Sequence, residues 1–199
     1  MVLVCGGIGA GKSVVTRLAA CEGFPVYDCD TRARALMEKN PLREKLTGIA
    51  GEGIFRGGNL DRPCLARMIF ADAALRRRIN ETVHTAVRAD IAEELYRRDF
   101  LSGAQMLFVE TAIPSTSGLD AMADLICLVE APEETRVCRV LRRNPSLSEA
   151  DICRRIDAQN AEDNALPEKK IFRIDNSGYA PLLEQFRKLK EKLNTLYHA

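Results

Sequence analysis

Glycines, a lysine and a serine at fixed spacing are the clearest chemical signature in this chain. Gly6-Gly7-Ile8-Gly9-Ala10-Gly11-Lys12-Ser13 fits Gly-x4-Gly-Lys-Ser/Thr, a pattern that cradles phosphate at the start of a helix. Each residue type has a task. Glycines let successive backbone N–H groups turn inward and approach an anion with no Cβ in the way. A helix starting at Gly11 or Lys12 adds its positive N-terminal end. Lys12 reaches β- and γ-phosphates, and the Ser13 hydroxyl suits Mg²⁺. In chains of ordinary glycine content, a chance match over ~200 positions arises in roughly one chain per hundred. The flanks strengthen the reading. Val2-Leu3-Val4-Cys5 reads as a short buried strand, and the stretch from Val14 to Ala20 can continue as the following helix.

A phosphate loop alone does not separate a kinase from a GTPase or a motor, and further features narrow the choice. Asp28-Cys29-Asp30 follows a second short apolar stretch. A carboxylate at a strand end of an open parallel sheet lines the ligand crevice and can accept the proton of an attacking hydroxyl. An acid there also starts a helix well, which accounts for one of the pair but not both. Asp30 is the candidate base, with Asp28 its neighbour or a metal contact. Arg136, Arg139, Arg142 and Arg143 precede Asn144-Pro145. Arginine forks match the charge on a transferring phosphoryl group, and a segment carrying them can close over nucleotide and exclude water. Arg136, Arg139 and Arg143 share a helix face. The plainer reading is an exposed basic face paired with Glu133, Glu134 and Glu149. Glu110 ends an apolar run, the place of an acid that holds Mg²⁺ or that contacts an acceptor. The GTP-specifying Asn-Lys-x-Asp is absent.

These residues need a frame, and the rest of the chain supplies one. Its 199 residues, 46% hydrophobic, suffice for one domain with a sizeable core and a smaller lobe. A net charge of +1 creates no strong field toward nucleic acid or membrane. No apolar run is long enough to span a bilayer, and glycines from Gly6 onward cut short any signal peptide. The seven cysteines form no Cys-x-x-Cys pair, and His84 and His198 stand apart from any cluster. That argues against zinc and for reduced, buried thiols in the cytoplasm. Apolar runs at 106–109 and 124–129, and a last one at 170–174, read as strands. Three- and four-residue apolar steps between Leu60 and Arg98 predict an insert of two or three helices. Pro41 can open a helix, and the five glycines between Gly48 and Gly58 read as loop. Ser148 is placed to cap a helix with Asp151 at the third position. A final helix is expected from Tyr179 to Tyr197. Strands alternating with helices give a doubly wound parallel α/β sheet.

Taken in order, the motifs resemble the dephospho-CoA kinase family. The loop resembles its Gly-Gly-Ile-Gly-Ser-Gly-Lys-Ser, and Asp28-Cys29-Asp30 with Ala33-Arg34 its Asp-x-Asp and following Ala-Arg. Leu60-Asp61-Arg62, Ile69-Phe70, Asn80 with His84, Gly118-Leu119-Asp120, Arg155-Ile156 with Gln159, and Ile174-Asp175-Asn176-Ser177-Gly178 continue the likeness over almost the whole chain. The chain departs from the family at Glu110-Thr111-Ala112-Ile113-Pro114-Ser115-Thr116, where Asp-x-Pro-Leu-Leu-Phe-Glu is usual. Thr85 stands where proline follows the histidine, and Asn144 where an acid is common.

The resemblance implies a P-loop NTPase-type parallel sheet flanked by helices, with a helical acceptor-binding insert and a lid. The core would cover residues 1–30 and 104–199, the acceptor lobe 31–103 and the lid 139–152. It implies transfer of the ATP γ-phosphate to the 3′-hydroxyl of dephospho-CoA, with Mg²⁺, in a cytoplasmic monomer that binds neither nucleic acid nor membrane. Asp30 would be the base, assisted by Lys12 and the lid arginine Arg143. Gly7, Ile8, Gly9, Ala10, Gly11, Lys12, Ser13 and Val14 would hold the nucleotide, with Arg139 nearby and Asn176 near adenine. Ser13 would meet the metal. Arg34, His84, Arg88, Asp30 and Glu110 would serve the acceptor. The alternative is another P-loop kinase, acting on a different small molecule or a nucleoside monophosphate.

Overall fold

A computed structural model describes the backbone of residues 1–102 and 106–197, and the side chains of all of these except 98–102 and 197. The lobe end expected at 103 and the histidine at 198 fall outside them. In chain order the elements are β1 (Val2–Cys5), α1 (Lys12–Cys21), β2 (Val26–Asp28), α2 (Cys29–Met37), α3 (Leu42–Ala50), β3 (Phe55–Arg56), β4 (Asn59–Leu60), α4 (Arg62–Ala71), α5 (Ala73–Ser102), β5 (Phe108–Glu110), α6 (Leu119–Met122), β6 (Leu125–Glu130), α7 (Glu133–Arg143), α8 (Glu149–Asn164), β7 (Ile171–Asp175) and α9 (Leu182–Tyr197). They fall into two compact units. One joins Met1–Tyr27 to Ala104–Ala199, and the other is Asp28–Gly103.

The first unit is built on a five-stranded sheet among the described residues, in the order β2-β5-β1-β6-β7. β1 runs parallel to β5 and to β6, with Val4 opposite both Glu110 and Cys127, and β6 runs parallel to β7. Every residue of β1 is fully buried, as expected of an apolar strand covered on both faces. One layer packs Val2, Val4 and Phe108 of the sheet against Val15 and Ala19 of α1 and Phe186 and Leu189 of α9. Burial pushes the Cys5 and Cys127 thiols up, Cys127 to about 12, so both stay protonated and serve as packing residues.

Helices α7 and α8 pack Val137 and Val140 against Ile152 and Ile156, and Ile8 of the glycine loop rests on this seam. The cap at Ser148 forms as expected. Its Oγ accepts from the Asp151 N–H at 3.1 Å and lies 2.6 Å from Asp151 Oδ2. The last helix starts at Leu182 rather than Tyr179, because Pro181 precedes it and Gly178 holds φ +103°.

The second unit is mostly helical, around Leu42, Leu46, Ile54, Leu60, Leu65 and Ile79. The insert expected between Leu60 and Arg98 is α4 and α5. The loop expected over 48–58 is a misreading. Gly48 lies within α3, where buried Leu42 and Leu46 hold the helix, so tertiary packing overrides a weak propensity. Gly57 and Gly58, at φ +55° and +89°, turn β3 back onto antiparallel β4, the doubled positive φ that tight hairpins require.

Candidate active site

The glycine loop joins the central strand β1 to α1, at the carboxyl end of β1, where open α/β sheets bind ligands. Its carbonyls are claimed one after another by side-chain donors. Lys12 Nζ donates to Gly6 O at 2.8 Å and lies 3.5 Å from Gly7 O. Arg136 Nε donates to Ile8 O at 3.0 Å. Arg139 Nη1 lies 3.3 Å from Gly9 O and 3.4 Å from Ala10 O, and Asn176 Nδ2 donates to Ala10 O at 2.7 Å. Arg139 Nη2 in turn donates to Asn176 O at 2.9 Å. A loop held by its carbonyls can turn remaining amides toward an anion, and the start of a helix such as α1 adds N–H groups beyond the intrahelical ladder. Such an arrangement suits an anion. Three of the amides from Ile8 to Val14 are engaged within the protein: Ile8 N donates to Gln159 Oε1, Ala10 N to Gly7 O at 3.1 Å and Val14 N to Gly11 O at 2.9 Å.

Gly9 (φ +79°) and Gly11 (φ +101°) are in the left-handed region, and Gly11 caps α1. A Cβ on Gly9 would lie 2.5 Å from the Arg136 carbonyl oxygen. Ser13 and Val14 are exposed on the first turn of α1. One turn further on, buried Thr16 donates its hydroxyl to Glu110 Oε2 at 2.8 Å. Glu110 is the last residue of β5, so strand end and helix are joined by a charge-assisted bond.

The donor set fits a nucleotide with Mg²⁺. Amides and Lys12 suit a polyphosphate, and the Ser13 hydroxyl and the Glu110 carboxylate are hard oxygen donors. Among the described residues, no group of three or more His, Cys, Asp and Glu is placed to hold a metal ion. Mg²⁺ needs none, since substrate phosphates and water complete its shell.

The four arginines divide. Arg136 is buried, Arg139 reaches the loop, and Arg142 and Arg143 are exposed at the end of α7. Arg136, Arg139 and Arg143 share a face of α7, as helical spacing expects, but they meet different surroundings along it. Within the second unit, Asp28 caps α2, its carboxylate accepting from Thr31 N at 3.1 Å and Thr31 Oγ1 at 3.0 Å. That hydrogen bonding gives Asp28 the helix-starting role that sequence allows for one of the two acids. Asp30 is exposed in the first turn of α2, and Arg34 is exposed in its last turn. His84 and Arg88 are half-buried on α5. Arg88 Nη2 donates to Glu81 Oε1 at 3.2 Å and to Thr85 Oγ1 at 3.0 Å, and the bonds to Glu81 from Arg88 and from the Thr85 hydroxyl hold its carboxyl below the usual range. Arg32 grips Asp90 with Nε–Oδ2 at 3.0 Å and Nη2–Oδ1 at 2.8 Å, tying α2 to α5.

Residues given no role from sequence complete the loop's surroundings: Thr16, Gln159, Asn160 and Asp163, together with Arg136, which sequence places only among the candidate phosphoryl-binding arginines. Burial pushes the Asp163 carboxyl up to about 6, against the pull of Arg136 and Lys12. Gln159 had surfaced in the Arg-Ile…Gln likeness without a task. The spacing of Arg136, three residues before Arg139, was the signal available for it.

A phosphate loop at the carboxyl end of the central strand of a parallel sheet, with a helical unit inserted between β2 and β5 in the chain, defines a P-loop kinase fold. The family model for dephospho-CoA kinase matches residues 1–181. A dephospho-CoA kinase of Porphyromonas gingivalis is 37% identical over 147 residues, 73% of this chain and 71% of that protein. One of Bacteroides fragilis is 34% identical over 187 residues, 94% of this chain and 89% of its own. A crystal structure from Thermus thermophilus has a TM-score of 0.76 at 32% identity, covering 98% of this chain and 96% of that one. The chain belongs to the dephospho-CoA kinase family.

Proposed function

We propose that this enzyme transfers the γ-phosphoryl group of ATP to the 3′-hydroxyl of dephospho-CoA, the last step of coenzyme A synthesis. The observation that carries this reading is the loop from Gly6 to Ser13, gripped on its carbonyl side by Lys12, Arg136, Arg139 and Asn176. Its amides suit the β- and γ-phosphates.

The division of labour follows from the side chains. Residues 7–14 hold the triphosphate, and Lys12 moves from the loop carbonyls to phosphate oxygens. Asn176 and Arg139 border the nucleoside. Ser13, with Glu110 nearby, would hold Mg²⁺, which when bound neutralises charge on the β- and γ-phosphates. Glu110 is alternatively an acceptor contact. Asp30 takes the proton of the attacking hydroxyl. Arg143, in a lid of about residues 139–152, meets charge on the phosphoryl group in transit. Arg34, His84 and Arg88 bind the acceptor. Positioning and charge neutralisation provide most of the rate. The seven cysteines stand outside disulfides, which supports a reducing cytoplasm. Among the described residues no helix is long and apolar enough to cross a membrane.

The test is a coupled assay with ATP, Mg²⁺ and a panel of acceptors: dephospho-CoA, AMP, adenosine and shikimate. Dephospho-CoA should be preferred by ~10²-fold or more in kcat/KM, with one phosphoryl group gained by mass, and Lys12→Ala should abolish turnover. Preference for another acceptor would replace the substrate, and normal kinetics in Lys12→Ala would remove the phosphate-loop assignment.

A further inference from the structure

Arg136 has the most unusual surroundings of any charged group in the first unit. Its residue is 8% exposed, yet it carries a full guanidinium. Nε donates to Ile8 O at 3.0 Å, and Nη1 lies 3.4 Å from Asn160 Oδ1. Nη2 is buried with no hydrogen-bond partner in the protein. A cavity of about 390 Å³ opens beside it, lined by Gly7, Glu130, Arg136, Asn160 and Asp163 among others. Burying an arginine with one nitrogen unpartnered costs free energy that other contacts must offset, so its presence here calls for a reason.

Two glycines of the loop are shaped around this residue. A Cβ on Gly7 would overlap Nη2 and come within 2.6 Å of Arg136 Cζ, while a Cβ on Gly9 would meet its backbone. Gly7 does not have a positive φ. Backbone conformation therefore does not require glycine there; the guanidinium occupies the space a side chain would need.

We infer that Arg136 is a positioning residue for ATP: packed behind Gly7 and bonded to Ile8 O, it fixes the outer curve of the phosphate loop and places a positive charge behind the amides that face the triphosphate. This rests on the phosphate-loop reading above. The bond Arg136 makes to the loop is to a carbonyl, so it acts on the loop that holds ATP and is a positioning residue. Its effect falls on nucleotide affinity rather than on the chemical step.

The experiment compares wild type with Arg136→Met, Arg136→Gln, Gly7→Ala and the Gly7→Ala/Arg136→Gln double variant. It reads ATP binding by calorimetry, kcat and KM for ATP, and melting temperature. Arg136→Met should raise KM for ATP ~10- to 100-fold, the size of losing a charge-assisted hydrogen bond, with kcat changed by less than about threefold. Arg136→Gln should fall between, since the glutamine amide nitrogen reaches the place of Arg136 Nε. Gly7→Ala should lose ATP affinity, and the double variant should bind better than Gly7→Ala alone, because Gln ends short of the space the new methyl needs. KM within twofold of wild type in both Arg136 variants, with only the melting temperature lowered, would overturn the inference, as would additive losses in the double variant. A wild type that binds no ATP would instead bring down the phosphate-loop reading itself.

Discussion

Thr16→Val isolates the bond that ties α1 to β5. Thr16 is 4% exposed, and its hydroxyl lies 2.8 Å from Glu110 Oε2. Valine keeps the shape and removes the donor. A hydrogen bond to a charged group contributes ~1.5–3 kcal/mol. Glu110 is only half-buried and can recover water, so the lower part of that range applies, ~1.5–2 kcal/mol. In a chain of this size that lowers the melting temperature by ~3–8 °C. Thr16→Ser keeps the hydroxyl and deletes one methyl, ~0.8 kcal/mol, so the valine variant should be the less stable of the two. Urea denaturation and calorimetry measure the order. The kinetics then separate the two roles open to Glu110. Release of its carboxylate should raise the Mg²⁺ concentration for half-maximal rate if it serves the metal, or KM for dephospho-CoA if it serves the acceptor. A valine variant as stable as the serine one, with neither titration moved, would refute the link between Thr16 and the site.

The acids at the start of α2 should separate stability from catalysis. Asp28→Ala removes an N-cap that accepts from Thr31 N at 3.1 Å, and should cost ~0.5–2 kcal/mol by urea denaturation. Asp30→Asn should leave stability within ~1 kcal/mol but lower kcat by ~10²-fold or more. The reverse pattern in the two variants would exchange the roles. Asp163 predicts a pH dependence. Burial pushes its folded-state carboxyl up to about 6 from an ordinary 3.8, so between these values the folded protein keeps a proton that the unfolded chain releases. Stability linked to Asp163 is therefore full below pH ~4 and lost as pH rises through ~6. Asp163→Asn should gain relative to wild type by ~1 kcal/mol between pH 4 and 8, a figure reduced for partial solvent screening. Parallel urea-stability profiles over that range would contradict the sign.

What was legible from sequence is what depends on near neighbours along the chain. The glycine loop, the apolar strands and the Ser148 cap are written in runs of a few residues, and each forms where its pattern falls. The glycines from Gly48 to Gly58 misled because glycine content reports backbone freedom and not its use. Gly48 spends it on nothing, inside a helix held by Leu42 and Leu46. Gly57 and Gly58 spend it on a hairpin turn, a pairing that a two-residue spacing of glycines signals only weakly without longer strands on either side. Asp28 was ambiguous because one carboxylate suits a cap and a catalytic site equally well. The geometry assigns it to the Thr31 N–H and leaves Asp30 exposed.

The arginines of α7 mark where local pattern fails for a physical reason. Helical spacing places Arg136, Arg139 and Arg143 on neighbouring positions, and hydropathy alone sends all of them to solvent. What turns Arg136 inward is the carbonyl of Ile8, 128 positions away in sequence, and what holds Arg139 is the loop and Asn176 together. Neither partner is visible from α7. Both follow from the loop itself. A turn that presents amides to an anion must present carbonyls on its other side, and buried carbonyls require donors. Cations are the donors that satisfy those carbonyls and also favour the anion through the loop. A phosphate loop therefore creates a demand for arginine or lysine behind it. In this chain that demand is met by Lys12 from within the motif and by Arg136 and Arg139 from the helix that follows β6.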